Sequence, residues 1–226
     1  MQFYFSFNLF KVADGEILAI VGFSGSGKST VLKLICGLIP FDNGEILTSE
    51  GDIAMVFQYS ALFDSLNVFD NISFALRERK DLRKKYSEKE LKEIVSQKLE
   101  LVGLQGIENK FPSELSGGMQ KRVSFARAIV TKPNTILYDE PTAGLDPMSS
   151  TLIEDYIVRL KRETNAASIV VTHQMSTITR TADRVIMLYD GKIVFEGTPE
   201  QLLKQDNPYT KQFVTASLDG PMKMKA

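Results

Sequence analysis

The sequence from 22 to 30 reads Gly22-Phe23-Ser24-Gly25-Ser26-Gly27-Lys28-Ser29-Thr30, and this stretch decides the fold. It fits the pattern G-x-x-x-x-G-K-[ST], in which a glycine-rich turn wraps around the phosphates of a nucleotide. The glycines let the backbone curl so that several N–H groups point inward at an anion. Lys28 can reach the terminal phosphates, and the Ser29 hydroxyl can ligate Mg²⁺. The expected phosphate contacts are Gly22, Ser24, Gly25, Ser26, Gly27, Lys28, Ser29 and Thr30.

The residues on either side of this loop fit a strand before it and a helix after it. Residues 17–21 are a short apolar run, as in a buried parallel strand, and 31–38 reads as a helix with an apolar face. That helix would turn the positive end of its dipole toward the bound anion. An accidental Gly/Ser turn would not require these flanks, so the order strand, loop, helix favours a phosphate-binding α/β domain.

The composition is that of an ordinary globular protein, and it narrows the choice of function. The 226 residues are 43% hydrophobic and 24% charged, enough for one large α/β domain or two small lobes. A net charge of −1 gives no global attraction to nucleic acid or to an anionic membrane. The single cysteine, Cys36, excludes an internal disulfide and fits a reducing compartment. No apolar run is long enough to span a bilayer, so we expect a partner to supply any membrane spans.

The chain contains regions with strand-like patterns and one region with helical patterns. Short apolar segments and turn signals predict a nucleotide-binding core over 1–66 and 131–206, with strands around Phe3, Phe5 and Phe7 and within 41–58. Between these parts, 67–130 has helical patterns, and Ser87 with Glu90 forms a capping signature. We therefore expect a helical subdomain inserted into a single domain over 1–226. The tail 207–226 shows no clear pattern, and we expect it to be extended.

Two acidic residues and the only histidine each follow a predicted strand. Asp139 and Glu140 come directly after the apolar residues 135–138, and His173 follows the strand predicted over 167–172. The carboxyl ends of parallel strands meet at one edge of a sheet, beside the phosphate loop. Asp139 can hold Mg²⁺, Glu140 can orient or deprotonate the attacking water, and His173 can reach a terminal phosphate. A surface charge pair and a structural histidine are the alternatives, and the shared strand-end position favours catalysis.

A second stretch, Leu115-Ser116-Gly117-Gly118-Met119, predicts another helix start that faces an anion. Ser116 would cap the helix, and the paired glycines expose its N-terminal amides. A plain capped helix is the alternative. One phosphate loop has no obvious use for two such sites in one chain, so we expect a dimer in which this helix end faces the partner's nucleotide.

Together these stretches resemble the ATP-binding subunit of ABC transporters over nearly the whole chain. In the motif order of that family, 22–30 is Walker A, Gln58 the Q-loop glutamine, 115–119 the signature, 135–139 Walker B, 143–146 the D-loop and His173 the switch histidine. The resemblance implies a P-loop NTPase core, a mixed sheet flanked by helices, with an inserted helical subdomain. It also implies ATP and Mg²⁺ as ligands and a head-to-tail dimer with ATP at the interface.

The resemblance assigns roles residue by residue. The implied catalytic residues are Glu140 as general base, His173 and Gln58. The implied Mg²⁺ ligands are Ser29, Gln58 and Asp139, and the implied nucleotide contacts from the signature and D-loop are Ser116, Gly117, Gly118 and Asp146. Met119 stands where most members have glutamine. No residue aligns with the family's adenine-stacking aromatic, and we expect a longer chain, if one is encoded upstream, to bind ATP more tightly.

Four shorter stretches are similar to the ATPases of Mla/Mce-type phospholipid transporters: 57–72, 76–79, 138–147 and Asp219-Gly220-Pro221. The resemblance implies transport of phospholipid between membranes and a place on the cytoplasmic face of the inner membrane, held there by a permease. It implies a lipid-binding Mce-type subunit as a further partner and no nucleic acid. An importer of another substrate, a soluble ABC ATPase and an inactive binding module are the alternatives.

The permease is expected to dock near 58–79. The expected apolar contacts are Ala61, Leu62, Phe63, Leu66, Val68 and Phe69, and the expected charged rim is Arg77, Glu78 and Arg79. An exposed apolar patch on a chain without a membrane span is typical of a docking site. The alternative for any one of these side chains is a place in the core of the subdomain.

Overall fold

The computed structural model describes residues 10–40, 42–48 and 51–223. In them six strands form one sheet: β1 (Ile17–Val21), β2 (Ile53–Val56), β3 (Thr135–Asp139), β4 (Ala167–Val171), β5 (Arg184–Tyr189) and β6 (Lys192–Gly197). Their order across the sheet is β2-β3-β4-β1-β5-β6. The first five run parallel, and β6 returns antiparallel beside β5. The predicted mixed sheet flanked by helices is confirmed.

Eight α-helices surround the sheet in the part of the chain that the structure describes. They are α1 (Lys28–Ile35), α2 (Val68–Glu78), α3 (Glu88–Leu101), α4 (Gly117–Ala128), α5 (Pro147–Thr164), α6 (Met175–Thr181), α7 (Pro199–Lys204) and α8 (Pro208–Val214), with a 3-10 turn at Pro112–Glu114. Among these described helices, none combines the length and the apolar composition that a bilayer crossing requires.

Both faces of the sheet are covered, which explains the continuous apolar runs in its strands. Ile136 and Tyr138 of β3 point to one face, in a core cluster that includes residues of α2 to α5. Leu137, between them in sequence, points to the other face and belongs to a cluster with Val31 and Leu32 of α1. This alternation is the period of two that a strand imposes. The central strands β1 and β4 are buried at every position.

The order of the strands creates one edge where several loops meet. β1 lies at the centre of the sheet, while the next strand along the chain, β2, lies at its far edge beyond β4 and β3. In the register of the sheet, Val171 of β4 is level with Ile20 of β1 and with Asp139 of β3. The loops that follow β1, β3 and β4 therefore leave the sheet side by side, at a reversal of strand order where α/β proteins bind ligands.

Three local predictions differ from the structure. Within 41–58 the described residues contain a single strand, β2, so the prediction of several strands is wrong there. Helix α1 ends at Ile35, earlier than predicted, because Gly37 takes the left-handed backbone conformation (φ 71°) that commonly follows a helix end. The tail is not extended over its whole length, since 208–214 forms α8.

Helix α8 starts where the sequence carries an overlooked capping signal. The Asn207 side chain accepts a hydrogen bond from the Tyr209 N–H, and Pro208 occupies the first turn, where it leaves no N–H unpaired. Phe213 of this helix lies 6.3 Å from Phe23 between ring centroids, so the tail packs beside the phosphate loop. The strand predicted around Phe3, Phe5 and Phe7 lies outside the described residues.

Candidate active site

The glycines of the 22–30 loop sit where the backbone requires them. Gly22, Gly25 and Gly27 have φ angles of 147°, 78° and 97°, in the region that favours glycine. A Cβ atom on Gly22 would lie 2.4 Å from the Leu188 carbonyl oxygen, so no other residue fits without movement. Gly27 then leads directly into α1, and the first N–H groups of a helix have no partner within it. This is the backbone cradle that a phosphate chain requires.

Lys28 is folded back onto the loop that precedes it. Its side chain is buried, and its Nζ donates hydrogen bonds of 2.9 Å to the carbonyl oxygens of Gly22 and Phe23. Burial lowers the pKa of Lys28, while the nearby carboxylates of Glu140 and Asp139 act in the opposite direction. The ammonium is therefore held at the mouth of the cradle, within reach of an anion bound there.

Ser29 and Asp139 join α1 to the end of β3. The Ser29 Oγ donates a 2.8 Å hydrogen bond to the Asp139 Oδ1. Burial raises the pKa of Asp139, and the Ser29 hydrogen bond opposes that rise. A hydroxyl and a carboxylate are the hard oxygen ligands that Mg²⁺ prefers. No group of three or more His, Cys, Asp or Glu side chains in the described ranges is arranged to hold a metal.

Glu140 is held in an uncommon backbone conformation directly after β3. Its φ is 45°, and its N–H donates to the Val171 carbonyl oxygen at 2.8 Å, which ties the turn to β4. Its Oε1 lies 2.8 Å from the Nδ1 of His173. Its Oε2 is buried and has no hydrogen-bond partner among the described residues. The Oγ of Ser26 in the phosphate loop is likewise buried without a partner there. Unsatisfied buried oxygens at one edge of the sheet are typical of a site that binds a polar ligand.

His173 follows β4 and keeps a largely exposed side chain, 62% accessible, beside the Glu140 carboxylate. The segment behind it is anchored by buried hydroxyls. The Gln174 N–H donates to Thr172 Oγ1, and the Gln174 side chain is 2.9 Å from Thr142 Oγ1 in the turn after Glu140. The turns that follow β3 and β4 are thus bonded to each other, which fixes Glu140 and His173 as a pair.

Gln58 lies two residues beyond β2 with an exposed side chain. Its carbonyl oxygen accepts a hydrogen bond from the Nζ of Lys121 in α4. Burial lowers the pKa of Lys121 to about 8, although the charges of Asp139 and Glu140 act to raise it. Sequence reasoning missed Lys121 because α4 has no clean apolar stripe that would mark which of its polar residues point inward.

The 115–119 stretch forms a separate part of the surface. Ser116 caps α4 by accepting a 3.3 Å hydrogen bond from the Met119 N–H, as predicted. Ser116, Gly117 and Gly118 line a cleft with Gly144 and Asp146, and no residue of the 22–30 loop lines that cleft. Asp146 itself caps α5 through hydrogen bonds from Met148 and Ser149, which lower its pKa. The 22–30 loop and the 115–119 stretch of one chain therefore line different surfaces.

A groove of about 490 Å³ lies on the far side of β2, between that strand, α2 and α4. Its walls include the rings of Phe63 and Phe74, 44% and 39% exposed, with centroids 4.8 Å apart. The Arg127 guanidinium of α4 lies 5.6 Å from the centroid of the Phe63 ring. The groove is therefore an aromatic surface with a cationic side chain in one wall. Two of its residues, Phe74 and Arg127, were not predicted from the sequence.

The sequence profile described as "ABC transporter" matches residues 8–143. The chain belongs to the ABC transporter family. The protein TRIGALACTOSYLDIACYLGLYCEROL 3 of Arabidopsis thaliana is 46% identical to it, over 95% of this chain and 70% of that protein. The intermembrane phospholipid transport system ATP-binding protein MlaF of Haemophilus influenzae is 41% identical, over 98% and 88%. These matches confirm the resemblance stated above.

A solved structure is similar in fold over most of this chain. The ATP-binding cassette MJ0796, solved as a dimer in a post-hydrolysis state with ADP and Pi, has a TM-score of 0.73 and 30% identity, covering 84% of this chain and 88% of that one. The predicted enzyme class, an ATPase of the ABC type, is confirmed.

Proposed function

We propose that this chain is the ATPase subunit of a membrane transporter that moves phospholipid between membranes. The observation that carries the proposal is the union, at one edge of the sheet, of the phosphate cradle, the Ser29–Asp139 hydrogen bond and the Glu140–His173 pair. The substrate class rests on the 41% identity with MlaF, whose name assigns it to intermembrane phospholipid transport. The four stretches similar to Mla/Mce-type ATPases agree with that class.

Each residue at this edge has a proposed part in hydrolysis. Lys28 and the loop amides bind the terminal phosphates, and Ser29, Asp139 and Gln58 would hold Mg²⁺, which would neutralise phosphate charge. Glu140 takes a proton from the attacking water through a carboxylate whose Oε2 is buried and has no hydrogen-bond partner in the described ranges. His173, paired with Glu140 Oε1, orients that carboxylate and reaches toward the terminal phosphate.

The active unit is a head-to-tail dimer. Ser116, Gly117, Gly118 and Asp146 line a cleft that is separate from the phosphate loop of the same chain, so they are free to face the nucleotide of a second copy. The dimeric arrangement of the cassette MJ0796 supports this assembly. Glycine at two successive positions leaves the first N–H groups of α4 unobstructed for the phosphates of that nucleotide.

We place the permease in the groove beside β2, and only some of the apolar residues expected from the sequence line that groove. Val68 is fully buried in the core and Phe69 packs against the same cluster, because the apolar face of α2 turns inward. Leu62, which precedes that helix, also packs against this cluster. Ala61 and Phe63 remain as groove residues. A protein segment with an aromatic or acidic side chain would match the exposed rings and the cation of Arg127.

Arg77 and Arg79, two of the residues expected to form a charged rim, are held in ion pairs within the chain. Arg77 is paired with Asp70 at 2.8 Å and with Glu88 at 2.9 Å, and it joins α2 to α3. Arg79 is paired with Asp52 and Asp81, and it lines the groove with its remaining surface. Charge reversal at either arginine would break these internal ion pairs. Loss of permease binding by such a variant could then follow from a disturbed fold, so it would not identify the docking surface.

The deciding experiment measures transport. The tagged chain is used to isolate its permease from native membranes, and the complex is placed in vesicles that contain a fluorescent phospholipid. We expect ATP-dependent transfer of the phospholipid to acceptor vesicles, and none from the same complex with Glu140→Gln. A permease that arrives with a soluble-solute receptor and transfers no lipid would show an importer of another substrate. Recovery of no membrane protein would favour a soluble ATPase.

A further inference from the structure

Lys121 is a buried cation that the proposed mechanism leaves unused. Its side chain is 4% exposed in the first half of α4, and its Nζ donates to the Gln58 carbonyl oxygen. Its charge also interacts favourably with the carboxylates of Asp139 and Glu140. The ammonium thus bonds α4 to the turn after β2, which leaves the sheet beside the turn after β3 because Val56 pairs with Tyr138.

A buried ammonium at this position needs a reason. Removing an amino group from water is costly, and an apolar side chain of similar length often gives equal or greater stability. Met119 and Val123 show that apolar residues occupy neighbouring positions of α4. The hydrogen bond of the Lys121 ammonium goes instead to the carbonyl oxygen of Gln58, the residue proposed for the Mg²⁺ site.

A second contact from α4 holds the same segment two residues later. The Ser60 Oγ donates a 3.1 Å hydrogen bond to the Gln120 Oε1. The Gln120 Nε2 in turn donates to the Pro112 carbonyl oxygen at 2.9 Å, ahead of the signature. Two consecutive residues of α4, Gln120 and Lys121, therefore form hydrogen bonds with the side chain of Ser60 and the backbone of Gln58. These bonds attach the 58–60 segment to the helix that starts at Gly117.

We infer that Lys121 is a positioning residue for ATP hydrolysis: its ammonium fixes the backbone of Gln58, and so aims the Gln58 side chain, relative to Asp139 and Glu140. The inference rests on the proposed role of Gln58 at the Mg²⁺ site. It adds that α4, which carries the signature, sets the geometry of hydrolysis in its own chain as well as facing the partner's nucleotide. A free carbonyl at Gln58 would leave the side chain without a fixed direction.

The test compares Lys121→Met with the matched variant Lys98→Met in the full chain. Lys98 is a half-buried lysine of α3, in the same group of helices, with no part in the site. We expect Lys121→Met to lower kcat about tenfold while the KM for ATP stays within about twofold, as for a group that acts on the transition state. The thermal midpoint should stay close to wild type, because the desolvation cost of burying the ammonium offsets the hydrogen bond that is lost. Lys121→Arg should restore most of the rate, and Lys98→Met should keep it.

A double-mutant cycle with Gln58→Ala distinguishes a wrong role for Lys121 from a wrong role for Gln58. If Lys121 acts through Gln58, adding Lys121→Met to Gln58→Ala changes the rate by less than about twofold, because coupled residues are not additive. Full additivity, a wild-type rate for Lys121→Met, or a rate loss that follows a lowered thermal midpoint would each overturn the inference. A wild-type rate for Gln58→Ala alone would overturn the proposed role of Gln58 and the inference with it. An impaired Gln58→Ala beside a normal Lys121→Met would overturn the inference only.

Discussion

The phosphate loop and the groove beside β2 are assembled in different ways. The loop is one continuous stretch whose backbone makes the site, and Gly22, Gly25 and Gly27 are needed for its φ angles. The groove is assembled from parts of β2, the 57–63 segment, α2 and α4, and side chains form its walls. A motif that encodes backbone shape is visible in the sequence, whereas a surface built from distant side chains becomes visible only in the fold.

The two regions should also respond differently to mutation. Changes at the loop edge should abolish binding or hydrolysis in the isolated chain. Changes in the groove should leave ATP binding and hydrolysis by the isolated chain intact and weaken binding of the permease.

Glu140→Gln should give the largest effect. The amide keeps the shape of the side chain but cannot accept the proton of the attacking water, so turnover should fall by about 10²- to 10⁴-fold. ATP affinity, measured by equilibrium binding, should change little, because the phosphates are bound elsewhere. Turnover close to wild type would remove Glu140 from the role of general base.

Lys28→Ala should weaken ATP binding itself. The variant loses a charge-assisted contact worth about 1.5–3 kcal/mol, which corresponds to about a 10- to 100-fold higher Kd. Lys33→Ala is the matched control, since Lys33 lies in the same helix with an exposed side chain. Isothermal titration with a non-hydrolysable ATP analogue measures both, and equal affinities of the two variants would contradict the assignment.

Phe63→Ser combined with Phe74→Ser should separate the groove from the loop edge. Loss of two aromatic anchors should weaken permease binding by about tenfold or more, while ATP affinity of the free chain is retained. Phe111→Ser is the control, because Phe111 is similarly exposed at 43% but does not line the groove. Pull-down of the permease measures the effect. Wild-type retention by the double variant would place the docking surface elsewhere.

Ser87→Ala should give the smallest effect and touch neither region. Ser87 accepts from the Glu90 N–H, and the Glu90 carboxylate accepts from the Ser87 N–H, which is a complete capping box at the start of α3. Its loss should lower the free energy of unfolding by about 1 kcal/mol. Chemical denaturation measures the change, and ATP turnover below the transition should match wild type. A change in turnover would show that α3 is coupled to the site.

Sequence reasoning reached the strands around the site because each apolar run is buried on both faces, as in β1 and β4. It also reached Asp139, Glu140 and His173, since strand ends at one sheet edge converge wherever the strands are parallel. It failed at Lys121 and Arg127, whose inward directions depend on the rotation of α4 against the sheet. It failed at Val68 as well, because an apolar residue at a helix start can face either the core or a partner.

In the proposed dimer, ATP is held between the loop of one chain and the signature of another. Light scattering on the Glu140→Gln chain, with and without saturating ATP, measures whether ATP joins two chains. We predict a monomer without ATP and a dimer with ATP, and a monomer in both cases when Ser116→Arg is added, because the bulky cation would obstruct the signature surface. A monomer at full ATP occupancy, or a dimer that Ser116→Arg does not disturb, would contradict the shared site.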